Sequence, residues 1–288
     1  MNILLLLLLA PLLLLCYAIK LFVLKLMRVV NDGKKGLKYI KSFEKRNDCR
    51  VIYLLDKDEK IKYFDLENIL IGSKVSLDID GSEGFRDTLN TCINKTIDVV
   101  LIIDCSGGSV VDSDYIVKHI DIFRSHGRKI TAIIPRKAYS AACLIAFACD
   151  EIQMGKLSSL TPIDPISYDD EENPCSIASL KHAFNDLDKI AQPTGMELAL
   201  HYDDLKLYDE TKKNMKLYVK RRLKKNINNK NLETVLNSFT SGKVSHHTLF
   251  SVNDLTRMGL DIKKINDKYK NILVEYYTVI YRMIALSY

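Results

Sequence analysis

The sequence predicts an α/β fold in which parallel strands alternate with helices. Residues 97–103 are dominated by β-branched and aliphatic side chains, which is typical of a strand buried on both faces. A Ser-Gly-Gly turn follows, and the apolar residues of 110–125 then recur at helical spacing. Residues 129–135 and 151–154 are predicted strands on either side of a helix at 140–149. This order of strand, helix, strand, helix, strand indicates parallel pairing with helices covering the sheet.

The segments on either side of this core predict further elements. Before it, the patterns predict a basic helix over 34–46, a strand over 50–55 and a helix over 83–94, whereas 66–80 is ambiguous. After it, helices are predicted over 175–190, 197–226, 232–239 and, behind a Ser251 N-cap, 252–258.

The N-terminus carries a long uncharged apolar segment. Residues 3–19 contain no charged side chain, and Lys20 can snorkel so that the segment extends to residue 24. A signal peptide is the alternative, but it normally has a cationic start and a small-x-small cleavage motif, and neither is present. We therefore expect a single-pass membrane anchor over residues 3–24.

The basic residues are concentrated next to this segment. Nine of the 42 Lys and Arg residues lie up to Arg46, where there are two acidic residues, and the remaining 33 are balanced by 34 acidic residues. A nucleic-acid-binding protein would keep its positive charge on the folded body, so we expect no nucleic-acid partner. The positive-inside bias predicts that the body lies in the cytosol.

The cysteine and glycine patterns predict no metal and no cofactor. Seven cysteines are scattered without a C-x-x-C pair, which indicates neither a disulfide framework nor a zinc site. We expect Cys143 and Cys149 to be small buried residues of a helix. The Gly-Gly turn lacks the further glycines or the lysine of a phosphate-binding loop.

Two turns carry the candidate chemistry. Asp104-Cys-Ser-Gly-Gly-Ser109 follows a buried strand, at the carboxyl end of a parallel sheet, where ligands usually bind. Ala138-Tyr-Ser-Ala-Ala142 places Ser140 at the start of a helix, where free amides and the helix dipole favour negative charge. One amide from each turn could form an oxyanion hole. A plain glycine turn and an N-cap serine are the structural alternatives.

Four segments of the chain follow one another in order: Cys105-Ser-Gly-Gly-Ser-Val110, Ala138-Tyr-Ser-Ala-Ala142, Ala148-Cys-Asp-Glu-Ile152 and Thr161-Pro-Ile-Asp-Pro165. Together they resemble the serine dehydrogenase proteinase family, which belongs to the Clp protease/crotonase superfamily and is related to signal peptide peptidase A. The resemblance extends from about Arg50 to Ile262. It implies a Clp/crotonase-like ββα superhelix with an N-terminal transmembrane helix and a helical C-terminal part. The expected domains are an anchor with its basic flank (1–30), a catalytic α/β domain (31–190) and a helical extension (191–288).

The resemblance also implies roles for individual residues. Ser140 is the expected nucleophile, and the amides of Gly108 and Ala141 are the expected oxyanion donors. Gly107 and Ser109 are expected to contact the substrate.

The chain departs from the family pattern at several positions of this site. Ser106 stands where the family has proline, Ala141 and Ala142 replace two glycines, and Thr161 replaces another glycine. The amide donors survive these changes, although alanine restricts the backbone more than glycine.

The general base is left open by the sequence. Clp protease has a histidine where this chain has Ile163, whereas related enzymes use a lysine, in one branch about forty residues after the serine. Lys181 lies 41 residues after Ser140 and is the expected base, provided that burial favours its neutral form. His182 and His246 are alternatives. Asp164 either orients groups near the site or caps a turn before Pro165.

The sequence therefore predicts a membrane-anchored serine peptidase that cleaves membrane-proximal or unfolded polypeptides through an acyl-enzyme on Ser140. The superfamily resemblance implies a homo-oligomer. Two other classes remain as alternatives. One is a catalytically inactive membrane scaffold of the same fold, and the other is a crotonase-like acyl-CoA enzyme, which uses paired oxyanion amides without a nucleophilic serine.

Overall fold

The computed structural model describes residues 17, 19–21, 23–24, 27, 35–36, 38–55, 79–164, 166–168, 174–176, 195–222 and 229–275. These residues belong to two structural units. The larger unit contains the described residues of 48–55 and 79–266, and the smaller unit contains those up to 47 and from 267 to 275.

The larger unit alternates strands and helices along the chain. Its described strands are β1 (Cys49–Leu55), β2 (Asp98–Asp104), β3 (Ile130–Ile134), β4 (Lys137–Ala138), β5 (Glu151–Met154), β6 (Ser159–Leu160), β7 (Ile166–Tyr168), β8 (Pro174–Ser176), β9 (Phe250–Ser251) and β10 (Ile262–Lys264). Its described helices are α1 (Ile79–Lys95), α2 (Val110–Ser125), α3 (Ala141–Ala148), α4 (Gly195–Arg222), α5 (Asn229–Thr240) and α6 (Val252–Arg257).

A five-stranded parallel sheet organises this unit, in the order β1-β2-β3-β5-β10. The register aligns Leu101 of β2 with Ile52 and Ala132 on its two neighbours, and all three side chains belong to the main hydrophobic cluster. The next residue, Ile102, points to the opposite face because side chains alternate along a strand, and it is also fully buried. The prediction of a parallel sheet buried on both faces is confirmed in β2.

Helix α3 is buried along its whole length, as its uninterrupted apolar sequence requires. It packs against α2 and α4. Cys143 and Cys149 are both fully buried, as predicted. Burial raises the pKa of the Cys143 thiol well above its ordinary value, so this thiol stays protonated and is not a nucleophile.

Helices α2 and α4 are joined by polar contacts at their surface. Asp121 accepts hydrogen bonds from the Tyr218 hydroxyl at 2.9 Å and from Arg221 Nη1 at 3.0 Å. Burial, followed by the charge of Asp121, raises the pKa of Tyr218, which keeps the phenol protonated as a donor. These contacts fix α4 beside the helix that follows the glycine turn.

The smaller strands form two further sheets. Strand β6 pairs with β4 in parallel and with β9 in antiparallel orientation, and β7 pairs with β8 as an antiparallel hairpin. The helix predicted to begin at Cys175 is wrong at its start, because Cys175 belongs to β8 and pairs with Ser167. Pro174 opens that strand, which is a position where its missing N–H is tolerated. The rest of the predicted helix, 177–190, lies outside the described residues.

Most of the other predicted elements are confirmed with small shifts at their ends. The predicted bounds of α2 and β5 are those observed, and β2 and β3 each differ by one residue at either end. The capping box that opens α6 is present, since Ser251 Oγ accepts from Asp254 N and the Asp254 carboxylate accepts from Ser251 N.

The smaller unit contains the predicted basic helix, which is helical at its described positions 35–36 and 38–46. Its buried residue Phe43 contacts Tyr269, with 5.9 Å between the ring centroids. Tyr269 lies in a 3-10 turn (Asp267–Tyr269) that leads into a helical segment at 270–275.

The predicted anchor falls largely outside the described residues. Its described positions at 17, 19–21 and 23–24 are helical and have exposed side chains. Within the described part of the chain, no helix combines the length and the apolar character needed to cross a bilayer. The domain limits near residues 30 and 190 also fall outside the described residues and stay predictions.

Candidate active site

The two predicted turns lie side by side at the carboxyl ends of β2 and β4. Cys105 donates its backbone N–H to Lys137 O at 3.2 Å, and Tyr139 donates its N–H to Cys105 O at 3.0 Å. These bonds form a parallel bridge between Cys105 and Ala138. The glycine turn is therefore fixed next to the turn that carries Ser140.

Gly107 forms the closest contact between the two turns. Its φ of 105° is one that L side chains rarely adopt. A Cβ atom at this position would lie 2.8 Å from Ser140 Cβ and 2.9 Å from Tyr139 O. Glycine is therefore needed here both for its conformation and for the close approach of the two backbones.

Ser140 occupies the N-cap position of α3 in an unusual conformation. Its φ of 49° and ψ of −123° put a non-glycine residue in a region that costs about 1–3 kcal/mol. Its side chain forms no capping hydrogen bond with the helix. The alternative that this serine serves only to cap the helix is therefore not supported. Its backbone N–H donates to Thr161 Oγ1 at 2.8 Å.

The predicted oxyanion donors stand on the two turns. Ala141 follows Ser140 as the first residue of α3, and Gly108 follows Gly107 in the glycine turn. Among the described residues, neither amide has a hydrogen-bond acceptor. Ser109 has a structural role, because its Oγ accepts from Asp112 N at 3.2 Å and caps α2.

A cleft with a volume of about 730 Å³ opens above these turns. Its polar lining includes Ser106, Gly108, Ser109, Ser140, Thr161, His246 and His247, and its apolar lining is Val111, Tyr139, Ile166 and Leu207. The cleft therefore combines the Ser140 hydroxyl, two imidazoles and an apolar wall.

His246 is paired with a buried carboxylate. Its Nδ1 lies 2.9 Å from Asp164 Oδ1, and the Asp164 side chain is only 1% exposed. In the tautomer with its hydrogen on Nδ1, His246 donates to the Asp164 carboxylate, and Nε2 is then the nitrogen that can accept a proton. Among the described residues, no hydrogen bond joins the Ser140 hydroxyl to this imidazole.

The pairing of β6 with β9 brings this histidine to the site. Strand β6 leads directly into the segment 161–164, and the loop 241–249 that carries His246 leads into β9. The backbone N–H of Ile163 also donates to Phe239 O at 2.9 Å, which ties the segment to the end of α5. Asp164 and His246 therefore meet although 82 residues separate them in sequence.

The structure brings five of the predicted site residues together, namely Ser140, Gly107, Gly108, Ser109 and Ala141. Lys181 and His182 lie outside the described residues, so the lysine base stays a prediction. The sequence did not predict that the Thr161 hydroxyl would accept a hydrogen bond from Ser140 N. Its only signal was that a threonine stands where the family has a glycine. No group of His, Cys, Asp and Glu that could hold a metal ion occurs in the part of the chain that the structure describes.

A parallel α/β sheet with a serine at the start of a buried helix, facing a glycine turn, is the arrangement expected of a Clp-like serine peptidase. Comparison with known proteins agrees: the model of the ClpP-like SDH-type serine proteinase family matches residues 2–283. The chain belongs to this family, which confirms the resemblance inferred from its motifs.

Two relatives from Methanocaldococcus jannaschii, both described as uncharacterized proteins, are similar to this chain. One is 26% identical over 229 residues, which cover 79% of this chain and 71% of the relative. The other is 30% identical over 129 residues, which cover 45% of this chain and 42% of that relative.

Two solved structures of the 1510-N membrane-bound stomatin-specific protease are also similar. One is a lysine-to-alanine mutant in complex with a substrate peptide, with 13% identity, a TM-score of 0.47 and coverage of 80% of this chain and 79% of that chain. The other is a serine-to-alanine mutant with 12% identity, a TM-score of 0.48 and coverage of 80% and 84%.

Replacing Gly107 by alanine is expected to open the site. The new Cβ would meet Ser140 Cβ and a backbone oxygen below 3 Å, so the two turns must separate. Together with the strained φ, this should lower the free energy of unfolding by about 1–3 kcal/mol in urea denaturation. Gly84→Ala is the matched control, because no atom lies within 4 Å of its Cβ and it sits in α1, where alanine should stabilise by about 0.5–1 kcal/mol. Equal stability of the two variants would contradict the close contact.

Proposed function

We propose that this chain is a membrane-anchored serine peptidase that hydrolyses peptide bonds through an acyl-enzyme on Ser140, with His246 as general base. The observation that carries the proposal is an uncapped Ser140 hydroxyl in the same cleft as an imidazole oriented by Asp164. The parallel sheet with its helices would form a Clp/crotonase-like superhelix with a helical C-terminal part. Membership of a serine proteinase family supports this function.

In the proposed first step, Ser140 Oγ attacks the carbonyl carbon of a peptide bond. His246 Nε2 accepts the hydroxyl proton and then donates it to the leaving amine as the acyl-enzyme forms. A water molecule next attacks the ester carbonyl, and the same nitrogen accepts its proton and returns it to Ser140 Oγ. Asp164 keeps the imidazole in the required tautomer and stabilises its charged form. The hydrogen bond between Ser140 and His246 would form when substrate closes the cleft.

The negative charge that develops on the carbonyl oxygen would be held by the amides of Ala141 and Gly108. Both lie next to Ser140, on the two turns joined by the Cys105 bridge. A donor of this kind typically accounts for about 10²–10³ in rate. Gly107 and Ser109 would contact the peptide on the glycine-turn side of the cleft.

We propose His246 as the base in preference to Lys181. A general base must reach the nucleophile, and His246 lines the cleft that contains Ser140. Its Asp164 partner is almost fully buried, which is the usual arrangement behind a catalytic histidine. Lys181 and His182 are the alternative bases that the experiments must separate from it.

We also propose that residues 3–24 anchor the protein with its body in the cytosol, and that the protein is a homo-oligomer. Exposed apolar side chains at Tyr17, Ile19, Leu21, Val23, Leu24 and Met27 support contact with lipid. The substrate would be a polypeptide near the membrane or an unfolded one, and no nucleic acid, metal or other cofactor is part of the proposal.

A fluorophosphonate probe tests the nucleophile. The wild-type chain should be labelled with one equivalent, and Ser140→Ala should abolish labelling because the attacking oxygen is lost. Ser238→Ala, at a half-buried serine of α5, is the control and should be labelled as the wild type. A folded wild-type chain that stays unlabelled would favour an inactive scaffold, and protection against thermal unfolding by an acyl-CoA thioester would favour a crotonase-like enzyme.

Substitution of each candidate base tests the proton acceptor. His246→Ala should slow fluorophosphonate labelling by roughly 10²–10⁴-fold, the usual contribution of a general base. His247→Ala, Lys181→Ala and His182→Ala should stay near the wild-type rate. If Lys181→Ala alone slows labelling to this extent, the lysine is the base.

Extraction of membranes at alkaline pH tests the anchor. The full-length chain should remain in the membrane fraction, whereas Leu7→Lys combined with Leu13→Lys should release it, since each buried charge costs about 2.5–3.5 kcal/mol. Leu157→Lys with Leu249→Lys adds the same charge at exposed positions and should leave the protein membrane-bound. If both double variants remain in the membrane fraction, residues 3–24 are not the membrane anchor. Protease added at the cytosolic face should degrade the body, and cross-linking should reveal more than one copy.

A further inference from the structure

We infer that Thr161 is a positioning residue, whose buried hydroxyl holds the backbone of Ser140 in the conformation that presents the nucleophile. The inference rests on the proposed function and deepens it. Ser140 N donates to Thr161 Oγ1 at 2.8 Å, and Thr161 itself is only 3% exposed. Strands β4 and β6 pair in parallel up to Ala138 and Leu160, and this bond joins the two segments just beyond the last pair, at the turn before α3.

The hydroxyl of Thr161 is itself fixed in orientation. Its oxygen donates to Pro162 O at 3.2 Å and accepts from Ser140 N. With its only hydrogen already engaged, the oxygen presents a lone pair to Ser140. Thr161 thus acts as an acceptor for Ser140, and the hydroxyl cannot rotate freely to serve another group.

The Ser140 backbone needs such an external partner. The backbone groups next to the Ser140 N–H are hydrogen-bonded in the first turn of α3: Ala142 N donates to Tyr139 O, and Cys143 N donates to Ser140 O. The N–H of Ser140 has no acceptor of this kind within the helix, as is usual at a helix start. Without the Thr161 oxygen, this half-buried N–H would lose its acceptor while the residue kept its positive φ. A more relaxed rotation of the peptide would then be favoured, and it would move the hydroxyl.

The same bond determines which amides face the reacting carbonyl. The two joined turns carry the backbone N–H groups of Gly108, Ser140 and Ala141. Because Thr161 occupies the N–H of Ser140, the other two are left for the oxyanion. The Thr161 hydroxyl therefore determines which amides are available to the oxyanion.

The position of Thr161 in the chain couples the nucleophile to the base. Three residues later, the same segment supplies Asp164, which orients His246. Between them, Ile163 is bonded to the end of α5. A shift of the segment would therefore displace both Ser140 and His246, and misplacement by about 1 Å can cost on the order of 100-fold in rate.

Three substitutions of Thr161 test this inference. Thr161→Val keeps the shape but removes the acceptor, and it should slow fluorophosphonate labelling of Ser140 by on the order of 100-fold. Thr161→Ala should show a similar loss, whereas Thr161→Ser restores the hydroxyl and should label within about threefold of the wild type. Thr240→Val is the matched control, because Thr240 is equally buried and its hydroxyl donates to Leu236 O within α5 at 2.7 Å.

The outcomes separate this inference from the proposed function. If the wild type is labelled at Ser140 and folded Thr161→Val or Thr161→Ala reacts at the wild-type rate, Thr161 has no positioning role although the peptidase proposal stands. If both variants fail to fold while Thr161→Ser folds, the hydroxyl is structural and the positioning role is rejected. A wild-type chain without any Ser140 labelling refutes the proposed function, and this inference with it.

Discussion

The site depends on one constraint, which is that the polar groups of the buried segment 161–164 must find partners inside the protein. Thr161 and Asp164 are almost inaccessible to water, and an unpaired buried polar group costs about 1–3 kcal/mol. Their partners are the Ser140 amide and the His246 imidazole. The hydrogen bonds that pair the polar groups of this segment therefore also position the two groups that the proposed chemistry requires. Stability of the segment and geometry of the site come from the same bonds.

The strain at Ser140 is supported by this surrounding framework. A non-glycine residue with positive φ costs about 1–3 kcal/mol, whereas one hydrogen bond contributes about 0.5–1.5 kcal/mol net. The Thr161 bond alone does not offset the larger figure. The remainder is supplied by α3, whose eight residues are all buried and whose first turn bonds to Tyr139 and Ser140. An exposed helix could not hold its N-terminal residue in this conformation.

The sequence was sufficient for the parts of the fold that depend on local pattern. Buried parallel strands and the helices between them have strong periodicity, so β2, α2 and β5 were predicted closely, and parallel pairing then placed both turns at one edge of the sheet. Two-residue strands have no periodicity, so β6 and β9 could not be seen. Their antiparallel pairing is what brings Asp164 to His246. Strand β8 stands where a helix was predicted to begin at Cys175. It forms by pairing with β7, and such pairing is not visible in the local propensity of its three residues.

The pairing of Asp164 with His246 is better explained by function than by stability. Placing a carboxylate where it is 1% exposed is costly, and replacing such buried pairs by apolar residues of similar size is often neutral or stabilising. The chain nevertheless keeps this buried carboxylate, and its partner His246 lines the cleft that contains Ser140. An imidazole bound through one nitrogen presents the other in a defined direction and protonation state. That property has no value for packing, but it is what the proposed role of Ser140 as a nucleophile requires.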